Sequence, residues 1–279
     1  MKGSMTMKER QYVIGFGTWK IKDAEMDLAI HTALECGYRH FDTASAYGNE
    51  KSIGEALKSS GVDRDNIWIS GKLWTTERAY EKVLAAFQKT INNLKTDYLD
   101  SYLVHWPAAA HMHDDWEKIN AETWKAFEKL HNDGYVRRIG LCNCKPHHIE
   151  SFSKHADIKP MIDQIEFHPG YDQSEIIEYC RKEKIDIEGW GPLGSGKMIK
   201  RKPLQEIAEH YDKSVAQLCL RYCIQKGIMP IPKSVNPDRI RENIDIFDFE
   251  IENTDMTTID MMPYMGGSGL DADTVTLFG

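Results

Sequence analysis

Tyr98-Leu99-Asp100-Ser101-Tyr102-Leu103-Val104-His105-Trp106-Pro107 is the stretch from which the fold can be read. Its body is rich in aromatic and branched residues that favour strands, and it ends on an imidazole, an indole and a proline that cannot continue a ladder. Just before it, Val83, Phe87, Ile91 and Leu94 recur at helical spacing. Just after it, Trp124, Phe127, Leu130 and His131 do the same until Gly134. One strand between two amphipathic helices is the unit, and the unit repeats in both directions. Strands are expected at Val13–Thr18, Tyr38–Thr43, Ile67–Lys72, Tyr98–His105, Val136–Asn143, Met161–Phe167, Ile185–Trp190 and Ile228–Lys233. Met26, Ala29, Ile30, Ala33 and Leu34 line a first helix, with Asp23 placed to cap its start and Gly37 to end it. The last helix opens at Asn236-Pro237 and carries Ile240, Asn243, Ile244 and Phe247 as its stripe.

Eight such alternations in 279 residues fit an α/β fold of the (β/α)8 TIM-barrel type, residues 1–279 forming a single domain. A doubly wound open sheet is the rival. No Pro/Gly/Ser-rich linker divides the chain. Two segments break the alternation: a loop over 108–115 and a glycine-rich tail over 265–279. On the catalytic face of a barrel such segments shape substrate access.

The composition, 41% hydrophobic and 28% charged, is that of a soluble globular protein. No run is long enough to span a membrane, and the start Met1-Lys2-Gly3-Ser4-Met5-Thr6-Met7 lacks the apolar core of a secretory signal, so the cytoplasm is the expected location. Residues 1–7 also read as a scar left by cloning. A net charge of −8 argues against nucleic acid as a partner. Late in the chain Lys197, Lys200, Arg201, Lys202, Lys233, Arg239 and Arg241 gather positive charge that suits a small anion, although Lys200-Arg201-Lys202 alone reads as a solvated face. Six cysteines without a Cys-x-x-Cys fit free thiols in a reducing compartment. Cys219 and Cys223 share a helix face, but no second ligand pair accompanies them.

Four polar residues close strand-like stretches. Asp42 and Tyr47 stand in His40-Phe41-Asp42-Thr43-Ala44-Ser45-Ala46-Tyr47-Gly48-Asn49-Glu50, Lys72 in Ile69-Ser70-Gly71-Lys72-Leu73-Trp74, and His105 in the opening stretch. A free phenol has a pKa of about 10 and is a poor acid at neutral pH. An ammonium from Lys72 within contact range lowers that value, and Asp42 keeps the amine protonated. His105 then orients a substrate oxygen. A phenol, an ammonium, a carboxylate and an imidazole at strand ends make a proton-delivery site suited to carbonyl reduction.

With these residues in place the chain resembles an aldo-keto reductase, from about Val13 to Phe247. The resemblance is carried by Gly15-Phe16-Gly17-Thr18-Trp19, Phe41-Asp42-Thr43-Ala44 with Tyr47-Gly48-Asn49-Glu50, Lys72-Leu73-Trp74, His105-Trp106-Pro107, Gln164-Ile165-Glu166-Phe167-His168-Pro169 and Ile231-Pro232-Lys233-Ser234. It implies a (β/α)8 barrel that binds NADPH extended and an Asp-Tyr-Lys-His tetrad at Asp42, Tyr47, Lys72 and His105. The short tail and Trp190-Gly191-Pro192-Leu193-Gly194 look most like microbial 2,5-diketogluconate or methylglyoxal reductases. Trp190 would stack on the nicotinamide, with Asn143 and Gln164 holding its carboxamide. Lys233, Ser234 and Arg239 would take a 2′-phosphate at the start of the last helix, and Asn243 would reach the adenine. Gly17, Thr18, Trp19, Asp42, Cys142, Gly191, Leu193 and Val235 complete the implied cofactor contacts. A small carbonyl substrate would meet Trp19, Tyr47, Trp74, His105 and Trp106, with the tail near Leu270. No metal and no membrane are implied, and a monomer is. An NADPH-binding redox sensor with little turnover is the competing reading.

Some positions depart from the family pattern: Cys142 for serine, Cys144 for phenylalanine, Asp163 for asparagine, and the segment before Val13, where a barrel-bottom hairpin is usual. Gly191-Pro192-Leu193-Gly194-Ser195-Gly196-Lys197 spells most of a phosphate-binding loop, but Met198 stands where Ser or Thr must hold magnesium, and Ile199-Lys200-Arg201-Lys202-Pro203 reads as a poor helix start. Gly15-Phe16-Gly17 lacks the third glycine of a dinucleotide-binding turn. His111 and His113 with Asp114 and Asp115 read as a polar loop rather than a metal site.

Overall fold

The structure is a computed structural model that describes residues 13–276. The expectations for residues 1–7, for the segment before Val13 and for 277–279 lie outside the described residues. Eight strands form one sheet in chain order, every neighbouring pair parallel. They are β1 (Gly15–Gly17), β2 (His40–Asp42), β3 (Trp68–Leu73), β4 (Leu99–Val104), β5 (Val136–Cys142), β6 (Ile162–Glu166), β7 (Asp186–Trp190) and β8 (Met229–Ile231). Gly17 N–H donates to the Pro232 carbonyl at 2.9 Å and brings the end of β8 back to β1. The sheet is thus a (β/α)8 barrel, and the open-sheet rival is excluded. Each expected strand is present within two residues of its expected ends.

Ten helices wrap the barrel among the described residues: α1 (Asp23–Glu35), α2 (Glu50–Ser59), α3 (Tyr80–Leu94), α4 (Trp116–Asn132), α5 (Pro146–Ser153), α6 (Ser174–Glu183), α7 (Lys202–Glu209), α8 (Val215–Gln225), α9 (Pro237–Ile244) and α10 (Asn253–Asp260). Their apolar stripes pack on the outer face of the strands in one continuous core containing Met26, Ile30, Val83, Phe87, Ile91, Trp124, Phe127 and Leu130. A separate small cluster, Leu103, Cys142 and Ile162, fills the lumen. Space there is tight: a Cβ on Gly140 would lie 2.6 Å from the Ile162 carbonyl oxygen and 2.8 Å from Leu103. Gly37 (φ +100°) and Gly134 (φ +82°) end α1 and α4, as expected of residues without a Cβ penalty in the left-handed region.

Three local expectations are corrected. Asp23 is the first helical residue of α1, not its cap; Lys22 holds that position without a side-chain cap. The Asp23 carboxylate instead meets the positive end of the helix and accepts a hydrogen bond from Ser52 Oγ at 2.7 Å. Pro203 does not prevent a helix: it sits in the first turn of α7, where its missing N–H has no intrahelical acceptor to lose. Phe247 lies beyond α9, and Ile246 is the fully buried residue there. Asn236 does cap α9, its side chain accepting from Arg239 N–H at 3.1 Å. No helix among the described residues is long and apolar enough to cross a membrane.

Candidate active site

Parallel register brings the four polar residues to one end of the barrel. Asp42 ends β2, Lys72 is the penultimate residue of β3, and His105 follows β4 directly. Tyr47 closes a short 3-10 turn, Ser45–Tyr47, after β2. That turn is fastened on both sides. Ser45 Oγ donates to the Lys72 carbonyl at 3.1 Å, and Asn49 Nδ2 donates to the carbonyls of Thr18 (2.9 Å) and Ile21 (3.2 Å). The turn therefore rests on β3 and on the loop after β1.

Lys72 is fully buried, and its ammonium donates to Asp42 Oδ1 at 2.5 Å and to the Thr43 carbonyl at 3.0 Å. Its Nζ lies 5.5 Å from the centre of the Tyr47 ring. Burial pushes the Lys72 pKa down, but Asp42 and Tyr47 outweigh it and the net direction is up, so the amine stays charged. Tyr47 corrects an expectation. Burial pushes its phenol up, Lys72 pulls it down through charge and hydrogen bonding, Asp42 and Cys142 push it up again, and the balance stands above the ordinary value. A single cation does not offset the loss of solvent around the phenolate when a carboxylate stands beside that cation. His105 is buried, and burial together with Lys72 drives its pKa well below the ordinary value, which leaves the imidazole neutral. Its ring packs edge-on against Tyr47 (centroids 5.7 Å apart) and Trp74 (5.2 Å), and its Nδ1 is buried with no partner. The imidazole thus keeps unspent hydrogen-bonding capacity.

The implied cofactor contacts fall on the same end of the barrel. Gln164, on β6, donates from Nε2 to Asp42 Oδ1 (2.9 Å) and to Glu188 Oε2 (2.8 Å). Asn143 adopts a left-handed backbone (φ +60°) just past β5, donates to the His105 carbonyl at 3.0 Å, and accepts from the Trp190 indole N–H at 2.8 Å. The indole edge of Trp190 is thereby fixed. Cys142 is buried, its thiol 3.8 Å from Gln164 Oε1. Burial raises its pKa against the pull of Lys72, so the thiol stays protonated in the place of the usual serine hydroxyl. Asp163, in the place of the usual asparagine, is fully buried, with one oxygen accepting from Cys144 N–H and the other unpartnered. Burial raises its pKa to about 8, so at neutral pH it is largely a neutral acid. Ser234, Val235, Arg239 and Asn243 lie at or just before the N terminus and along the body of α9, with Lys233 leading into them. Lys233 and Arg239 are exposed and make no ion pair among the described residues.

The remaining wall is uneven. Trp74 is half-buried against His105, Trp106 is only 6% exposed, and Trp19 stands 53% exposed beneath the Lys20 ammonium. The loop after β4 and the tail meet over this face. His111 Nε2 donates to the Val275 carbonyl (2.7 Å), Ser268 donates twice to Glu166 at the end of β6 (2.8 and 2.7 Å), and Lys145 pairs with Asp271 and Asp273. Leu270 is exposed among these contacts. Sequence reading quoted Glu166 without giving it a role and missed Glu188 and Lys145. Glu188 was visible in the alternation Asp186-Ile187-Glu188-Gly189-Trp190, where period two puts it on the same face as Trp190.

Several decoys resolve. Within the loop-like run 191–197 only Gly194–Gly196 form a 3-10 turn, and Met198 packs fully buried where a magnesium ligand would be required. Among the described residues the one group with metal-ligand spacing is His147, His148 and Asp273, and Asp273 is already held by Lys145 at 2.7 Å. A cavity of about 600 Å³ opens at the opposite, amino-terminal end of the strands, lined by His40, Trp68, Arg138 and Glu188 among others. It is remote from Tyr47 and His105.

Comparison with known proteins agrees with this geometry. Residues 13–262 match the model of the aldo/keto reductase family. The chain is 43% identical to glyoxal reductase of Bacillus subtilis over 249 residues, covering 89% of this chain and 87% of that protein. It is 37% identical to methylglyoxal reductase DkgA of Salmonella typhimurium, covering 93% and 92%. A variant of Gox0644 solved in complex with NADPH superimposes with a TM-score of 0.88 at 34% identity, covering 95% of this chain and 94% of that one.

Proposed function

The chain belongs to the aldo/keto reductase family, and from that premise we propose that it uses NADPH to reduce the carbonyl group of small aldehydes and ketones, dicarbonyls such as glyoxal and methylglyoxal foremost. The observation that carries the reading is the buried Asp42–Lys72 pair set beneath a phenol and a neutral imidazole. The donor set suits the cofactor. Lys233 and Arg239, exposed and without ion-pair partners among the described residues, flank a capped helix N terminus, which is what a 2′-phosphate requires. Trp190 offers a flat apolar face whose edge is already tethered. When bound, NADPH supplies the hydride that the carbonyl carbon accepts.

The rest belongs to the protein. Tyr47, kept protonated by burial, donates its proton as negative charge grows on the substrate oxygen. Lys72, held charged by Asp42, stabilises the phenolate that this leaves. His105, neutral, donates a hydrogen bond that orients the oxygen toward Tyr47. Trp19, Trp74, Trp106 and the tail at Leu270 wall the substrate. The protein acts as a single-domain monomer in the cytoplasm without a nucleic-acid partner, and its charge of −8 supports the last point.

The test is NADPH oxidation followed by absorbance with glyoxal, methylglyoxal, simple aldehydes and sugars. Turnover with the dicarbonyls is expected. Tight NADPH binding with no turnover of any carbonyl would favour a sensor instead.

A further inference from the structure

Glu188 is a buried carboxylate of β7 that the tetrad does not include. It accepts from Gln164 Nε2 at 2.8 Å, and the same nitrogen donates to Asp42 Oδ1 at 2.9 Å. A primary amide nitrogen carries two hydrogens, so both are taken, one by each carboxylate. With the nitrogen held between β2 and β7, Gln164 Oε1 points toward β5, where the Cys142 thiol lies 3.8 Å away. Flipping the amide would set its oxygen against two acceptors in a buried space, which costs far more than a lost surface hydrogen bond. Asp42 is already occupied by Lys72, so it constrains the amide from one side only. Glu188 supplies the second constraint.

We propose that Glu188 is a positioning residue that locks the Gln164 amide with its oxygen toward the nicotinamide carboxamide. The inference rests on the cofactor reading given above. It assigns a purpose to an acid that would otherwise be an expensive filler of the lumen. The charged and titratable groups facing Glu188 are Asp42 from β2, Lys72 from β3, and Arg138 and Cys142 from β5, with His40, Arg181, Lys184 and Asp186 sharing the cavity at the barrel floor. Burial raises its pKa to about 7 against the Gln164 hydrogen bond and Lys72, with Asp42 adding to the rise. Above that pH Glu188 only accepts, and the lock is complete. Below it, the protonated acid can also donate to Gln164 Oε1, and the flipped amide becomes tolerable.

The experiment compares wild type, Glu188→Leu and Glu188→Gln by direct NADPH binding, read from quenching of tryptophan fluorescence without substrate, at a series of pH values. Glu188→Leu is expected to raise the NADPH Kd about tenfold, the usual worth of one hydrogen bond to a charged group. Glu188→Gln, which keeps an acceptor at the same place, is expected to restore most of the affinity. Wild-type affinity should gain on that of Glu188→Gln as pH rises through about 7. Wild-type Kd in Glu188→Leu, or parallel pH profiles for wild type and Glu188→Gln, would overturn the proposal. Should Glu188→Leu fail to fold, the comparison of the other two profiles decides alone. Absence of NADPH binding by the wild type would overturn the cofactor reading itself and this inference with it.

Discussion

At the scale of the residue, Tyr47 shows how one side chain answers to three opposed forces. Removal from water raises its pKa, the Lys72 ammonium lowers it, and Asp42 raises it again. The consequence is a phenol that stays protonated through the neutral range and has a cation beside it at the moment of transfer. Tyr47→Phe is expected to lower kcat by at least about 100-fold, the scale of a positioned acid, while NADPH affinity changes little. Wild-type-like turnover in that variant would end the role assigned here. The pH profile of kcat/KM follows from the same directions. With His105 driven well below its ordinary value and Tyr47 driven above its own, carbonyl reduction at saturating NADPH, where the Glu188 effect on cofactor affinity drops out, should stay flat across pH 6 to 9, roughly, and fall only at alkaline pH. A limb near the free-histidine value of about 6.5 would show that His105 titrates during turnover. Asp42, Lys72 and His105 are legible in the chain because each stands at or beside the end of a strand-like run. Tyr47 instead lies on a 3-10 turn five residues past β2, which corrects the expectation that it closes a strand. The sign of the balance on Tyr47 is not legible in the chain, since it depends on how much protein surrounds the ring.

At the scale of the element, α9 is the most instructive. Asn236-Pro237 marks its start in the sequence, and the structure bears this out through the Asn236 cap on Arg239 N–H. Asn236→Ala should cost about 1 kcal/mol in denaturant unfolding, the usual worth of a cap. Arg239→Ala should leave stability nearly unchanged, since its side chain is exposed and without an ion pair among the described residues, and should weaken NADPH much more than NADH. Equal loss for both cofactors would show that Arg239 does not read a 2′-phosphate. Where element reading failed, it failed at ends. Asp23 gave the right helix and the wrong cap, the run 199–203 reads as a poor helix start although a first-turn proline is harmless, and Phe247 continued a stripe past the point where the chain turned away. Local spacing cannot locate a terminus to the residue, because termini are set by what the last turn packs against.

At the scale of the whole molecule, the barrel lumen and the shell around it hold buried acids. Glu188 is raised to about 7 and Asp163 to about 8, each by burial first. Both lie above the ordinary carboxylate range of about 4, so the folded state binds protons more tightly than the unfolded chain. Their contribution to stability is complete below about pH 4 and is lost as pH rises through about 7 to 8. The cofactor-free protein should therefore melt at a lower temperature at about pH 8 than at about pH 5, and Asp163→Asn should flatten that slope. An unchanged slope in Asp163→Asn would mean that this acid does not titrate in the window. The sequence by itself determined the number and order of the strands, the helices α1, α3, α4 and α9 and the residue types that meet at strand ends, because periodicity and punctuation are properties of neighbours along the chain. Only the tertiary structure decided which of two amide orientations Gln164 takes, that Glu188 and Asp42 share it, and that burial outweighs Lys72 at Tyr47. Those outcomes depend on distances between segments far apart in the chain and on the water excluded between them, and neither is written in any local stretch of residues.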